Sequence, residues 1–350
     1  MGAGPNSRMA GRGADLLYAM LRPVLFALEP ERAHALALVA LRSLARTGLP
    51  APWAAPAHRG VTHFGLHFPN PVGLAAGLDK NATCLDGLAL LGFGFIEVGT
   101  VTPRPQPGNT RPRMFRLPAV GALINRLGFN NDGVERLVAN IETARYRGIL
   151  GINIGKNFDT PVERAADDYV SCLRAVYRYA SYVTVNVSSP NTKDLRKLQG
   201  AAELESLLGT LSAERVRLEA SSGRRVPLLV KLAPDLSPAE IDAVAEPLAR
   251  HAVDGVIATN TTVRRDAVAA LAHGNETGGL SGAPLFQPAT EVLRRLRALL
   301  PANMVLFGSG GVMSAAAARA KIDAGAGLVQ IYTGLIYRGP SLVGEIIKAL

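Results

Sequence analysis

Val72-Gly73-Leu74-Ala75-Ala76-Gly77-Leu78-Asp79-Lys80 is a short apolar run that gives way to a glycine turn and two charged residues. A doubly wound open sheet usually carries a G-x-G-x-x-G fingerprint after its first strand. Gly77-Leu78-Asp79-Lys80 does not match it. Downstream, further apolar, β-rich runs occupy 93–99, 149–154, 182–187, 227–232, 255–259, 304–308 and 328–332. Helical patterns lie between them, at 85–91, 134–146, 161–179, 202–220, 238–249, 288–300 and 315–324. Eight buried strands, each followed by a helix, predict a closed (β/α)8 TIM barrel. The 350 residues suffice for a barrel of about 250 plus an attachment.

Upstream the pattern divides the chain. Residues 1–14 are rich in Gly, Ala and Arg and predict a disordered tail. Residues 15–58 predict an N-terminal pair of amphipathic helices, and 59–350 the barrel. Leu16, Leu17, Met20, Leu21, Val24, Leu25 and Leu28 recur with helical period until Glu29-Pro30. His34, Ala37, Leu38, Leu41 and Leu44 follow, and Pro50, Pro52 and Pro56 mark a linker. Arg22-Pro23 interrupts the first apolar stretch, which falls short of the ~20 residues a membrane span needs. Two readings stand: a monotopic membrane foot, or a helical hairpin packed on its own domain.

Composition narrows the partners. Hydrophobic residues make up 48% and charged residues 19%, as in a folded globular protein. The net charge of +10 suits nucleic acid, an anionic membrane or an acidic small molecule. Aromatics are only 5% and no basic run interleaves with them, which argues against nucleic acid. Up to residue 60, Arg8, Arg12, Arg22, Arg32, Arg42, Arg46 and Arg59 face only Asp15, Glu29 and Glu31. That bias suits an anionic bilayer. Cys84 and Cys172 have no CxxC spacing, which argues against a disulfide scaffold, zinc or an iron–sulfur cluster. His63 and His67 flank Gly65 in a strand-like stretch and read as surface residues, so no metal site is expected.

Function in such barrels lies just past the strands. Those positions hold Gly77 to Lys80, Thr100, Asn153 with Lys156, the loop Asn186 to Thr192, Lys231, Thr259-Asn260-Thr261, Gly308 to Gly311, and Tyr332-Thr333-Gly334. Glycines after strands seven and eight let backbone N–H groups reach phosphate oxygens. Asn153, Asn186, Asn191 and Asn260 each carry a donor and an acceptor, so together they can read a planar ligand with amide edges. Lys80 and Lys231 can bind anions or stabilise charge on a reduced cofactor. Ser189, stiffened by Pro190, lacks a histidine partner and makes a poor hydrolase. It could act as a general base if a cofactor withdrew electrons as the proton left.

These motifs resemble one family, the dihydroorotate dehydrogenases of the quinone-using class, from about Leu17 to the C-terminus. The blocks are Pro69 to Lys80, Glu97-Val98-Gly99-Thr100-Val101-Thr102-Pro103, Asn125-Arg126-Leu127-Gly128-Phe129-Asn130-Asn131 and Asn186 to Thr192. The resemblance implies oxidation of dihydroorotate to orotate in pyrimidine synthesis. A base takes the carbon-5 proton, hydride passes from carbon 6 to FMN, and electrons pass on to a quinone. Ser189 matches the base, where the fumarate- or NAD-using class has cysteine. FMN contacts are implied at Ala76, Gly77, Leu78, Asp79, Lys80, Thr100, Asn153, Asn186, Lys231, Thr259, Gly282, Gly311, Tyr332 and Thr333. Substrate contacts are implied at Lys80, Asn125, Arg126, Leu127, Gly128, Phe129, Asn186, Asn191, Asn260 and Thr261. Leu127 departs from relatives that often carry Met or Tyr there. His34 and Arg116 match quinone-binding positions. A monomer, peripheral on the cytoplasmic side of a bacterial inner membrane, is the implied setting. A soluble FMN barrel with another acceptor, and a silent phosphate-ligand barrel, are the alternatives.

Overall fold

A computed structural model describes residues 18–49, 53 and 55–350. The expected tail 1–14 and the first residues of the first predicted helix lie outside the described residues. Residues 18–27 are helical (α1). α2 (Pro30–Thr47) starts on Pro30, which pre-sets the helical φ, and the Glu29 carboxylate accepts from the Glu31 and Arg32 N–H groups. Gly48 ends it in the left-handed conformation at φ 70°. α1 packs on the barrel through the Tyr18 hydroxyl, which donates to the Ile336 carbonyl, and through Phe26, edge-on to Tyr337.

β1 (Val61–His63) and β2 (Leu66–Phe68) form an antiparallel hairpin. Phe64 and Gly65 turn it, both with positive φ, the geometry favoured for a two-residue hairpin loop. Phe64 and Phe68 then plug the N-terminal end of the barrel against Phe95, Tyr182, Leu229 and Phe307. His63 and His67 belong to this hairpin, His67 exposed, and no metal-ligating cluster exists among the described residues.

The barrel alternates strand and helix as the periodicity predicts. In chain order come β3 (Val72–Leu74), α3 (Leu85–Ala89), β4 (Phe95–Val101), then β5 (Met114–Leu117), β6 (Ala122–Asn125) and α4 (Val134–Thr143). β7 (Ile149–Ile154), α5 (Ala165–Val176), β8 (Tyr182–Asn186), α6 (Ala201–Ser222), β9 (Leu228–Leu232) and α7 (Pro238–Arg250) follow. The chain closes with β10 (Gly255–Ala258), β11 (Gly279–Gly282), α8 (Phe286–Leu299), β12 (Val305–Gly308), α9 (Ala315–Asp323), β13 (Leu328–Ile331), α10 (Thr333–Arg338) and α11 (Ser341–Ala349). Eight parallel strands close in the order β10-β12-β13-β3-β4-β7-β8-β9. Every predicted barrel strand is present, and each is buried almost throughout because helices cover its outer side.

One layer was not anticipated. β5, β6 and β11 form an antiparallel sheet, with β6 in the centre, built from two insertions at strand C-termini. Its strands have four residues each, and Pro118 and Gly121 break the first hairpin. Segments this short carry no readable period. The sheet buries Phe115, Leu117, Ile124 and Leu280 against Val268 and brings Asn125 and Gly282 to the barrel mouth.

Candidate functional site

A cleft with about 970 Å³ of empty space opens at the C-terminal ends of the barrel strands, between them and the inserted sheet. Its floor is a network of buried polar groups, which survive burial only when paired. Glu97, inside β4 and fully buried, accepts from Asn153 Nδ2 (2.8 Å) on one oxygen. The other accepts from Gln330 Nε2 (2.7 Å) and the Tyr182 hydroxyl (3.0 Å). This commits the Asn153 amide nitrogen downward. Its Oδ1 therefore faces up, accepting from the Thr100 hydroxyl (2.6 Å) and Asn186 Nδ2 (3.2 Å). Lys231, beside Asn186 in the β8–β9 register, is buried. Burial pushes its ammonium below the ordinary lysine value, while the Glu97 carboxylate pulls the other way.

The loop after β8 brings Ser189 to the cleft, buried, with its Oγ accepting from the Asn191 backbone N–H (3.2 Å). Arg196 fixes this loop. It donates to the Ser188 and Thr261 carbonyls (3.0 and 2.9 Å) and pairs with Asp235 (2.7 Å). Asn260 Nδ2 reaches Ser188 Oγ at 3.0 Å, and Asn191 Nδ2 donates to the Asn125 carbonyl at 3.1 Å. Amides from two barrel loops and the inserted sheet thus face one space.

The other end is a glycine cradle. Gly310 and Gly311 follow β12 with φ 92° and 76°. A Cβ on Gly311 would stand 2.4 Å from Phe286 Cα, so only glycine fits there. Tyr332 and Thr333 open α10, and the Thr333 hydroxyl donates to Ser281 Oγ (2.9 Å), tying the cradle to the inserted sheet. Backbone N–H groups at such turns suit a phosphate.

Lys80 borders the cleft and donates to the Gly77 carbonyl at 3.0 Å. Burial lowers its ammonium to about 8, Arg113 adds to that, and Glu31 and Asp79 oppose it. Glu31 of α2 is held by Arg113 (2.6 Å) and Arg111 (3.0 Å), which keep its carboxyl below the usual range. His34, one turn on, faces the Leu78 carbonyl. Burial, then Lys80, lower its imidazole to about 4, so it is neutral at pH 7.

Most of the predicted residues converge. Ser189, Ala76, Gly77, Lys80, Thr100, Asn186, Lys231, Thr259, Gly282, Gly311, Tyr332, Thr333, Asn125, Leu127, Gly128, Phe129, Asn191, Asn260 and Thr261 all line the cleft. Leu78, Asp79, Asn153 and Arg126 do not. Asp79 accepts from the Asn81, Thr83 and Cys84 N–H groups and so shapes the loop carrying Lys80. Asn153 lies one layer beneath, in the floor network. The Arg126 side chain turns outward to Glu276 (2.6 Å), leaving its backbone between two lining residues. Arg116 donates to the Leu25, Phe26 and Leu28 carbonyls at the end of α1. Sequence reasoning missed Gln330, Ser281 and Leu285 in the lining, and Glu97 below it.

Fold and cleft together define a (β/α)8 barrel class with a glycine cradle and an amide-lined cleft at the strand C-termini. The family profile described as dihydroorotate dehydrogenase matches residues 60–350. A protein of Nitrosospira multiformis named dihydroorotate dehydrogenase (quinone) is 60% identical, over 96% of each chain. One of Aromatoleum aromaticum with the same name is 59% identical over 95% of each. The fold matches crystal structures of DHODH from Eimeria tenella. The complex with ferulenol has TM-score 0.83 and 36% identity over 93% of both chains. The ligand-free form has TM-score 0.84 and 37% identity over 91% of this chain and 93% of that one. This chain belongs to the dihydroorotate dehydrogenase family.

Proposed function

We propose that this protein oxidises (S)-dihydroorotate to orotate, the dehydrogenation step of pyrimidine synthesis, with FMN in the barrel mouth and a membrane quinone as electron acceptor. The observation that carries the reading is a single cleft that unites Ser189, an amide-lined wall, Lys231 and a glycine cradle.

The residues present fit FMN. The cradle at Gly310-Gly311 and Thr333 would take its phosphate. Gln330 Oε1, buried in the cleft floor, has no partner among the described residues, which suits a ligand N–H. Thr100, Asn186 and Lys231 would hold the ring, and the Lys231 ammonium would stabilise negative charge there. Bound flavin supplies the hydride acceptor for substrate carbon 6. Ser189 Oγ would take the carbon-5 proton as its own hydroxyl proton passes to solvent, and the Asn191 N–H would steady the negative charge that builds on that oxygen. Asn125, Asn191 and Asn260 read the imide edges of the substrate, and Lys80 takes its carboxylate.

The N-terminal helices supply the link to quinone. Among the described residues no helix is long and apolar enough to cross a membrane. Met20, Leu21, Val24, Leu36 and Val39 are nevertheless exposed on α1 and α2. This supports residues 15–58 as a peripheral membrane foot; its place on the cytoplasmic side of the inner membrane, in a monomer, belongs to the same proposal. His34, beside Lys80 and the Leu78 carbonyl, and Arg116, at the end of α1, would bind the quinone between that foot and the cleft. A soluble barrel using another acceptor would have no need of the exposed face.

The test is stopped-flow flavin reduction by dihydroorotate, then reoxidation by a quinone. Ser189→Ala is expected to slow reduction about 10²–10⁴-fold with orotate binding kept. An unchanged rate removes Ser189 from the chemistry, and colourless protein that takes up no FMN overturns the flavin assignment.

A further inference from the structure

Lys321 is an anomaly. It lies on α9, is 0% exposed, and among the described residues no carboxylate pairs with it. Its ammonium has one long hydrogen bond, to the Phe286 carbonyl at 3.5 Å, and stands 5.3 Å from the centre of the Phe286 ring. That carbonyl already accepts from the Thr290 hydroxyl at 2.6 Å. Lysine is almost never fully buried without a partner, because an uncompensated charge in the interior is costly. Burial alone lowers its ammonium to about 7.

The charged groups of the packed elements are paired elsewhere or exposed, as Asp323 at the end of α9 is. On α8, Arg294 pairs with Glu291, Arg295 with Asp242, and Arg297 donates to the Leu300, Pro301 and Met304 carbonyls. On α11, Glu345 pairs with Arg338 and Lys348 is exposed. On α9 itself, Arg319 donates to the Ala349 carbonyl.

The location supplies the missing partner. Phe286 is the first residue of α8, and its Cα and N are the atoms that a Cβ on Gly311 would strike. The Lys321 stem also packs on Gly308, the last residue of β12, whose own Cβ would stand 2.7 Å from Lys321 Cβ. Lys321 is therefore one residue layer behind the glycine cradle, beside the start of α8. We propose that Lys321 is the buried counter-charge for the phosphate of a ligand held at Gly310-Gly311, acting through the protein without touching it. The inference rests on the reading that the cleft takes FMN. In the ligand-free protein the lysine sheds its proton easily. A phosphate dianion in the cradle makes the charged form favourable, so binding takes up a proton.

The experiment uses the full chain freed of bound flavin, titrated with FMN and with riboflavin, which lacks the phosphate. Lys321→Met keeps the apolar stem and removes the charge. It is expected to weaken FMN by about tenfold and leave riboflavin unchanged. In the wild type, the ratio of FMN to riboflavin affinity should fall between pH of about 7.5 and 9.5. The phosphate is already a dianion there, and Lys321 loses its proton in the free protein. Groups at the ring end, Lys231 and Lys80, act on both ligands and cancel in the ratio. Equal weakening of both flavins in Lys321→Met would make the residue a packing element and overturn the inference, as would no change in either. Should the variant not fold, a flat wild-type ratio across that pH range overturns it instead. Failure of the wild type to bind either flavin overturns the cleft assignment, and the inference with it.

Discussion

Lys80 gives the sharpest pH dependence at the substrate end. Its ammonium sits at about 8 in the ligand-free protein because burial, and then Arg113, disfavour the charge more than Glu31 and Asp79 support it. A carboxylate ligand binds the charged form. Near pH 7 about 90% of the free protein carries that charge, and near pH 9 about 10%. Orotate affinity should therefore hold steady to pH 8 and then fall, by up to about tenfold per unit. The fall ends where the pKa of the complex, raised by the bound carboxylate, is reached. Lys80→Met should weaken orotate by about 10- to 100-fold near pH 7, the worth of a charge-assisted hydrogen bond, and flatten the profile.

The assay is orotate titration followed by the flavin absorbance change, from pH 6.5 to about 9.5. Folding stability supplies an opposite sign. Between a folded pKa of about 8 and the ordinary lysine value of 10.5, the unfolded chain binds more protons, so this group's contribution makes stability rise with pH. The difference between wild type and Lys80→Met in urea unfolding should show that rise while orotate affinity falls. A wild-type orotate profile that stays flat across pH 8, or a Lys80→Met profile of equal slope, would refute the reasoning.

Two further outcomes follow from the geometry. Gly311→Ala places a methyl 2.4 Å from Phe286 Cα in a left-handed backbone, so the variant should purify with little or no FMN while its far-UV circular dichroism remains that of the wild type. Full flavin loading would show that the cradle is not where phosphate sits. Replacing Leu21, Val24, Leu36 and Val39 by Gln should abolish co-sedimentation with anionic vesicles and slow quinone reduction, leaving flavin reduction by dihydroorotate unchanged. Vesicle binding that survives these changes would move the membrane contact to another face.

The barrel was legible because each of its strands is a short, mostly apolar run between helical patterns. Strand ends then pointed to the cleft without any knowledge of distances. The inserted sheet was not legible, since four-residue strands joined across Pro118 and Gly121, and completed by β11 more than a hundred residues later, have no local signature. Asp79 and Arg126 show a different limit. Both fall in segments that line the cleft, but a side chain's direction depends on partners far along the chain, the loop N–H groups for one and Glu276 for the other.

Glu97 and Lys321 were within reach of the sequence all the same. In β4 the side chains alternate, so Glu97 shares the inward face with Phe95, which plugs the barrel. In α9, Lys321 stands three residues after the buried Ala318, in phase with the helix's inner face. An ionisable residue on the buried phase of an otherwise regular element is expensive, and an expense of several kcal/mol on the order of total stability persists only where something offsets it. For Glu97 the offset is visible in the donors of Asn153, Tyr182 and Gln330, which fix the orientation of the cleft floor. For Lys321 the described residues offer only the Phe286 carbonyl and ring, and the proposed phosphate in the cradle would supply the balancing charge.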